Sequence, residues 1–243
     1  MMRVFCLIYL FIHSLTLQAN EVIPSVKITK IQQNIYLHKS YNDVKGFGLV
    51  SSNGLIVIED DKAFIVDTPW SEKDTEILVN WIKDKHYHLL GSVSTHSHDD
   101  RTAGIAWMKR QKIPTYATAL TNEILNKAGK TQAQHNLEAV ESTLADGMIK
   151  TYYPGEGHAV DNIVVWLPKS KILFGGCLVR SMASKSLGYT GEANIDQWGS
   201  SVEKIQKKFS DAEYVIPGHG RVGDIELLQH TKLLVNKQLL KIE

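Results

Sequence analysis

The 243-residue chain is poor in cysteine and proline and has almost no net charge. Each shortage excludes something. With a formal net charge of +1, there is no electrostatic case for a nucleic-acid partner. The few prolines are scattered, and no low-complexity or Pro/Gly/Ser-rich run divides the chain into linked modules. No Rossmann-type glycine fingerprint follows an apolar strand. Serine-hydrolase signatures are missing too: there is no G-x-S-x-G, and no paired S-x-x-K and K-T-G. Beyond the N-terminus no apolar run is long enough to span a membrane. What remains is ordinary globular composition, 43% hydrophobic and 22% charged, enough for one large domain with a full core.

The first residues differ from the rest. Arg3 supplies a positive start, Val4 to Leu17 is mostly apolar, and Ala19 is a small residue at a plausible cleavage point. Residues 1–19 therefore read as a secretory signal peptide, with a buried N-terminal strand as the alternative. A single mature domain of residues 20–243 in the periplasm is expected. The two cysteines are Cys6 and Cys177. Removal of the leader takes Cys6 with it, so no internal disulfide forms. An unpaired thiol in an oxidising compartment is a liability unless it is buried or occupied, and a metal would occupy it.

Alternating and apolar runs predict strands over 27–38, 55–58, 63–66, 89–94, 115–117, 148–153, 162–167, 171–174 and 214–216. The runs at 55–58 and 63–66, joined by Glu59-Asp60-Asp61-Lys62, predict a hairpin. Helices are expected from Ser71 as N-cap, with Ile77, Leu78, Trp81 and Ile82 on the apolar face, and over 103–110, 121–127, 196–209 and 225–240. Strands and helices alternate in two successive halves. Two mixed sheets with outer helices fit that order.

The stretch STHSHDDRTAG carries the chemistry. On an extended backbone His96, His98 and Asp100 face one side, and imidazole and carboxylate are zinc ligands. Asp99 points the other way. His158 in YPGEGH, Cys177 in KILFGGC and His219 in YVIPGHG also lie at strand ends or in the following loops, each beside glycine. The six together make a metal centre the expected reading. His13, His38, His86, His88, His135 and His230 lack such company and read as surface or core residues.

The set H-x-H-x-D, PGEGH, GGC and PGHG, with DNIVVWLP and KILFGGCLV, resembles the metallo-β-lactamase superfamily. It looks specifically like class B β-lactamases of the first subclass, from about Val26 to the C-terminus. It implies an α+β fold, a four-layer αβ/βα sandwich with the site between two sheet edges. It implies two zinc ions, one on His96, His98 and His158 and one on Asp100, Cys177 and His219. Arg101 stands where related hydrolases of this fold carry histidine, which leaves Cys177 to complete the second set.

The resemblance further implies hydrolysis of penicillins, cephalosporins and carbapenems by a zinc-activated hydroxide, without a covalent intermediate, conferring antibiotic resistance; a monomer is expected because the Glu/Lys-rich helices offer no clear partner surface. Asp100 would orient the nucleophile. Arg180 replaces the usual lysine that meets the substrate carboxylate; the alternative is that it faces solvent. Tyr189 replaces the usual asparagine, and either assists the oxyanion or packs on substrate. Residues 44–54 match a mobile covering loop with Phe47 at its tip. Trp70 either lines the floor or packs in the core. Asp67 either braces the metal region or serves as a helix-start carboxylate. Arg101 would hold the thiolate site. The alternatives are a thioesterase, lactonase or phosphodiesterase of the same fold, or a secreted zinc-binding protein without activity.

Overall fold

The computed structural model describes residues 22–241. The expected signal segment, with Cys6, His13 and the cleavage point, lies outside them. Seven strands form the first sheet in chain order: β1 (Lys27–Gln32), β2 (Ile35–Val44), β3 (Gly48–Glu59), β4 (Lys62–Val66), β5 (His88–Val93), β6 (Thr115–Thr118) and β7 (His135–Leu137). The first four are antiparallel and the last three run parallel to β4. The second sheet holds β8 (Glu141–Leu144), β9 (Ile149–Tyr152), β10 (Val164–Leu167), β11 (Ile172–Gly176) and β12 (Tyr214–Pro217), in the order β12-β11-β10-β9-β8. Only β11 and β12 pair in parallel.

The period of two in these strands builds the layers. On β3, Leu55 and Val57 meet Val165, Leu167, Ile172 and Phe174 of the second sheet. Ile56 and Ile58 face the other way, onto Leu78, Val79 and Ile82 of α1 (Glu72–Asp84). On β10, Val164 and Trp166 turn outward to Trp198, Val202 and Ile205 of α5 (Ile195–Lys208) and to Leu228 and Val235 of α6 (Glu226–Leu239). Three apolar layers thus sit between four layers of structure, the expected αβ/βα sandwich. Each fully buried Leu or Ile in them contributes about 1.5–3 kcal/mol.

Local expectations hold at the β3–β4 hairpin, where Asp60 takes φ 54°, and at Ser71, whose Oγ accepts from Asp74 N at 3.1 Å. Four differ. Ile77 is exposed and Val79 is buried instead, because the contact stripe on α1 is rotated toward the sheet. Residues 44–54 are not a free loop. Most pair as strand across the β2–β3 hairpin, and only the Val44–Gly48 tip turns. The short polar edge strands β7 and β8 carry too little apolar signal to be anticipated. The helical turn α2 (Asp99–Thr102) precedes α3 (Ile105–Arg110), where one helix was expected. A further helix, α4 (Ala119–Lys127), follows β6. No helix among the described residues is long and apolar enough to cross a membrane.

The topology gathers strand ends on one edge. Asp67 follows β4, His96 follows β5, His158 follows β9, Cys177 follows β11 and His219 follows β12. Backbone bonds stitch the sheets together there, Asn53 N to Gly218 O at 2.8 Å and Ile163 N to Thr95 O at 2.9 Å.

Candidate metal centre

The backbone leaves β5 through a bend, and His98 is extended (φ −71°, ψ 155°) at the start of α2. Asp100 is therefore helical. It reaches the histidines through the turn of α2, and the expected extended i, i+2, i+4 alignment does not extend to it. Asp99 points out and pairs with Lys130 at 2.6 Å.

His96, His98 and His158 stand edge to face, with ring centroids 4.6–5.1 Å apart. His98 Nδ1 lies 3.2 Å from His158 Nε2. Two N–H groups cannot face each other at that distance, so at least one nitrogen presents a lone pair. His96 is buried with neither ring nitrogen partnered. Burial first, and then the neighbouring imidazoles, push His96 and His158 well below the ordinary histidine range, which keeps both neutral. Convergent imidazoles, two of them buried and neutral and His96 with no hydrogen-bond partner at all, are what a cation satisfies.

Beside them Cys177 Sγ lies 3.2 Å from His219 Nε2 and 3.6 Å from Asp100 Oδ2, and His219 Nε2 lies 3.4 Å from Asp100 Oδ2. His219 Nδ1 is 2.7 Å from the Ser51 carbonyl, which fixes it as the donor and turns Nε2 inward. Burial opposes a charge on His219, but Cys177 and Asp100 outweigh it and raise the imidazole to about 10. That proton is the one a metal must displace. Burial likewise opposes ionisation of Asp100, and Arg101 with His219 overrides it, holding the carboxyl well below its usual range. The donor sets His-His-His and Asp-Cys-His both fit zinc.

Arg101 is fully buried behind this second set. Its Nη2 reaches Asp100 Oδ2 (2.7 Å), Cys177 Sγ (3.1 Å) and Gly218 O (3.0 Å). Its Nη1 reaches Asn53 O (2.6 Å) and Asp67 Oδ2 (3.0 Å). Asp67 also accepts from Thr95 N at 2.7 Å and Thr95 Oγ1 at 2.9 Å, next to His96. It holds the strained φ of 59° while doing so. The helix-start role falls to Ser71. Gly218 is obligatory, since a Cβ there would sit 2.7 Å from Arg101 Nη2, Cys177 N and Cys177 Sγ.

The centre opens into a cleft of about 460 Å³. Arg180 lines it and lies against Gly188, with its backbone N–H held by Thr231 Oγ1 at 2.9 Å. Trp70 lines the wall half-buried, and Phe47 stands exposed at the hairpin tip. Tyr189 rests edge-on against His98 at 5.9 Å, and its hydroxyl folds over Gly191.

Residues 47–219 match the profile of the metallo-β-lactamase superfamily. The chain belongs to that superfamily. A metallo-β-lactamase type 2 of Pseudomonas aeruginosa is 41% identical over 231 residues, 95% of this chain and 92% of the relative. One of Bacteroides fragilis is 36% identical, over 90% of this chain and 89% of its own length. The crystal structure of the DIM-1 metallo-β-lactamase exposed to ceftazidime superimposes with a TM-score of 0.89 at 59% identity, covering 90% of this chain and all of that one. The FIM-1 enzyme of Pseudomonas aeruginosa, solved in a mono-zinc form, gives a TM-score of 0.84 at 36% identity, over 89% and 97% of the two chains. The expected family and fold are thereby found, and with them a metal-binding hydrolase scaffold.

Within this metallo-β-lactamase scaffold the sequence reading missed three supports. Asn53 ties β3 to β12 by donating to Pro217 O (2.9 Å) and Gly220 O (3.0 Å). Glu192 pairs with His98 Nε2 at 2.7 Å. His38 is fully buried, with Nε2 donating to Asp67 O at 2.9 Å. None carries a spacing signal, because each acts across the fold.

His38 has a measurable consequence. Burial lowers its imidazole to about 4, against the backbone bonds that favour the charged form. The unfolded chain takes a proton near pH 6.5 and the folded one does not, so stability present above that pH drains away as pH falls toward 4. The full effect is about 3 kcal/mol. Urea midpoints at pH 7 and pH 4.5 should fall less for His38→Gln than for the wild type. An equal fall in both would remove His38 from the account.

Proposed function

We propose that the chain is a secreted zinc-dependent β-lactamase that opens the lactam amide of penicillins, cephalosporins and carbapenems, acting as a periplasmic monomer with two zinc ions. The observation that supports this most is the convergence of two zinc-type donor sets, His96/His98/His158 and Asp100/Cys177/His219, beneath one cleft, with His96, Asp100 and Cys177 close enough to join them. Family membership and the names of the relatives support the substrate class. Bound zinc supplies Lewis-acid polarisation and lowers the pKa of coordinated water to about 7.

The chain's own groups do the rest. Asp100, kept ionised by Arg101, accepts a hydrogen bond from the attacking water and orients it toward the lactam carbonyl. Arg180 offers the cleft a guanidinium for the substrate carboxylate. Phe47 and Trp70 supply apolar walls and exclude water. Tyr189 packs on bound substrate, since its hydroxyl is directed at its own loop.

Hydrolysis of a carbapenem by the purified mature protein should fall at least 100-fold on chelation and return with added zinc. A zinc-loaded protein that turns over no β-lactam would defeat this reading and direct the search to thioesters, lactones and phosphodiesters.

A further inference from the structure

We propose that Glu192 is a positioning residue for His98, fixing the imidazole with Nε2 as donor so that Nδ1 presents its lone pair to the metal. The inference rests on the reading of His98 as a zinc ligand. Its geometry is direct. Glu192 Oε2 lies 2.7 Å from His98 Nε2, while Nδ1, on the far side of the ring, lies 3.2 Å from His158 Nε2. One nitrogen thus faces a carboxylate and the other faces the histidine cluster. A carboxylate accepts only, so Nε2 must carry the hydrogen. The remaining nitrogen is then free to ligate, and the acceptor increases its basicity.

Glu192 is half-exposed, and an isolated exposed pair would contribute little. It is not isolated. Two residues on, Asn194 is fastened twice to the loop that carries His158. Its N–H donates to Gly157 O at 2.9 Å, and its side chain donates to Glu156 Oε2 at 2.7 Å. On the other flank Tyr189 packs edge-on to the His98 ring. The segment 189–194 therefore grips His98 from two directions and is anchored beside His158. The carboxylate reaches its partner from a fixed backbone, which lowers the entropy cost of holding the pair. This same segment lines the substrate cleft, so the wall of the cleft and a metal ligand are one mechanical unit.

The test is zinc binding to the purified mature protein, read by competition with a chromophoric chelator and by the visible spectrum after cobalt substitution. Glu192→Ala should weaken one of two zinc sites about tenfold and shift the ligand-field bands of the histidine site. The thiolate-to-cobalt charge-transfer band should stay unchanged. Glu192→Gln should recover most of the affinity, because its amide oxygen still accepts from Nε2–H. Equal melting temperatures of the metal-free proteins would establish that the fold is intact. Wild-type affinity and spectrum in Glu192→Ala would overturn the proposal while leaving the metal centre standing. So would equal weakening in Ala and Gln, which would trace the effect to charge alone. A wild-type chain that binds no zinc would instead overturn the metal reading itself.

Discussion

Arg101→Ala should destabilise the metal-free protein by about 3–5 kcal/mol, and the zinc-loaded protein by clearly less. The first figure follows from what the guanidinium leaves behind. Asp67, Asp100 and Cys177, together with the carbonyls of Asn53 and Gly218, all point at it in a fully buried place. Removing one partner of a buried ion pair costs about 3–5 kcal/mol because the other charge is stranded. For a domain of this size that is roughly 10 °C in melting temperature.

The second figure follows from competition for the same anions. Zinc held by Asp100 and Cys177 would give them another cation, so that only Asp67 and the two carbonyls would lose their main partner. Arg101→Lys should rescue little, since one ammonium on a flexible stem cannot serve both branches of the network. Melting curves of the wild type and both variants, with chelator and with zinc, give the comparison. Equal destabilisation in the two conditions would mean that Arg101 supports the fold without supporting the second donor set.

The sequence made these features legible to different depths. Layer order followed from apolar runs such as LIVI and VVWL, because buried strands advertise both faces. The candidate ligands were legible in two ways: His158, Cys177 and His219 are rare types beside glycine at or after a strand end, and His96 and His98 stand in an H-x-H-x-D run. Asp100 was found for a wrong reason. An extended backbone was expected, while α2 begins one residue earlier, and only the three-dimensional turn returns the carboxylate to the histidines. Arg101 was noticed because it departs from a family pattern, but the reach of its five polar contacts was not written in any local spacing. Asn53, His38 and Glu192 were invisible for the same reason. Their partners lie 167, 29 and 94 residues away at the farthest contact of each, and hydrogen bonding over such separations leaves no periodicity. By resemblance residues 44–54 match a mobile covering loop, yet pairing across the β2–β3 hairpin holds all but the tip.

Cys177→Ser should remove one zinc of two under limiting metal and lower turnover accordingly. The substitution is well suited to separate metal chemistry from packing. Cys177 is buried, with Arg101 behind it and Gly218 against it, and serine is smaller, so nothing has to move to admit it. What changes is the donor. A thiolate is a soft ligand that the metal itself keeps deprotonated, while a serine hydroxyl stays protonated and binds zinc weakly. Loss of a direct ligand should exceed the roughly 10–100-fold that loss of an outer hydrogen-bond partner costs in metal affinity. The three histidines are untouched, so one ion should remain, and the metal-free melting temperature should change little. Added zinc should restore part of the turnover by mass action. Two tightly held ions and full turnover in the serine variant would take Cys177 out of the metal centre. A collapse of the metal-free fold would instead make the thiol a packing element whose proximity to Asp100 and His219 is incidental.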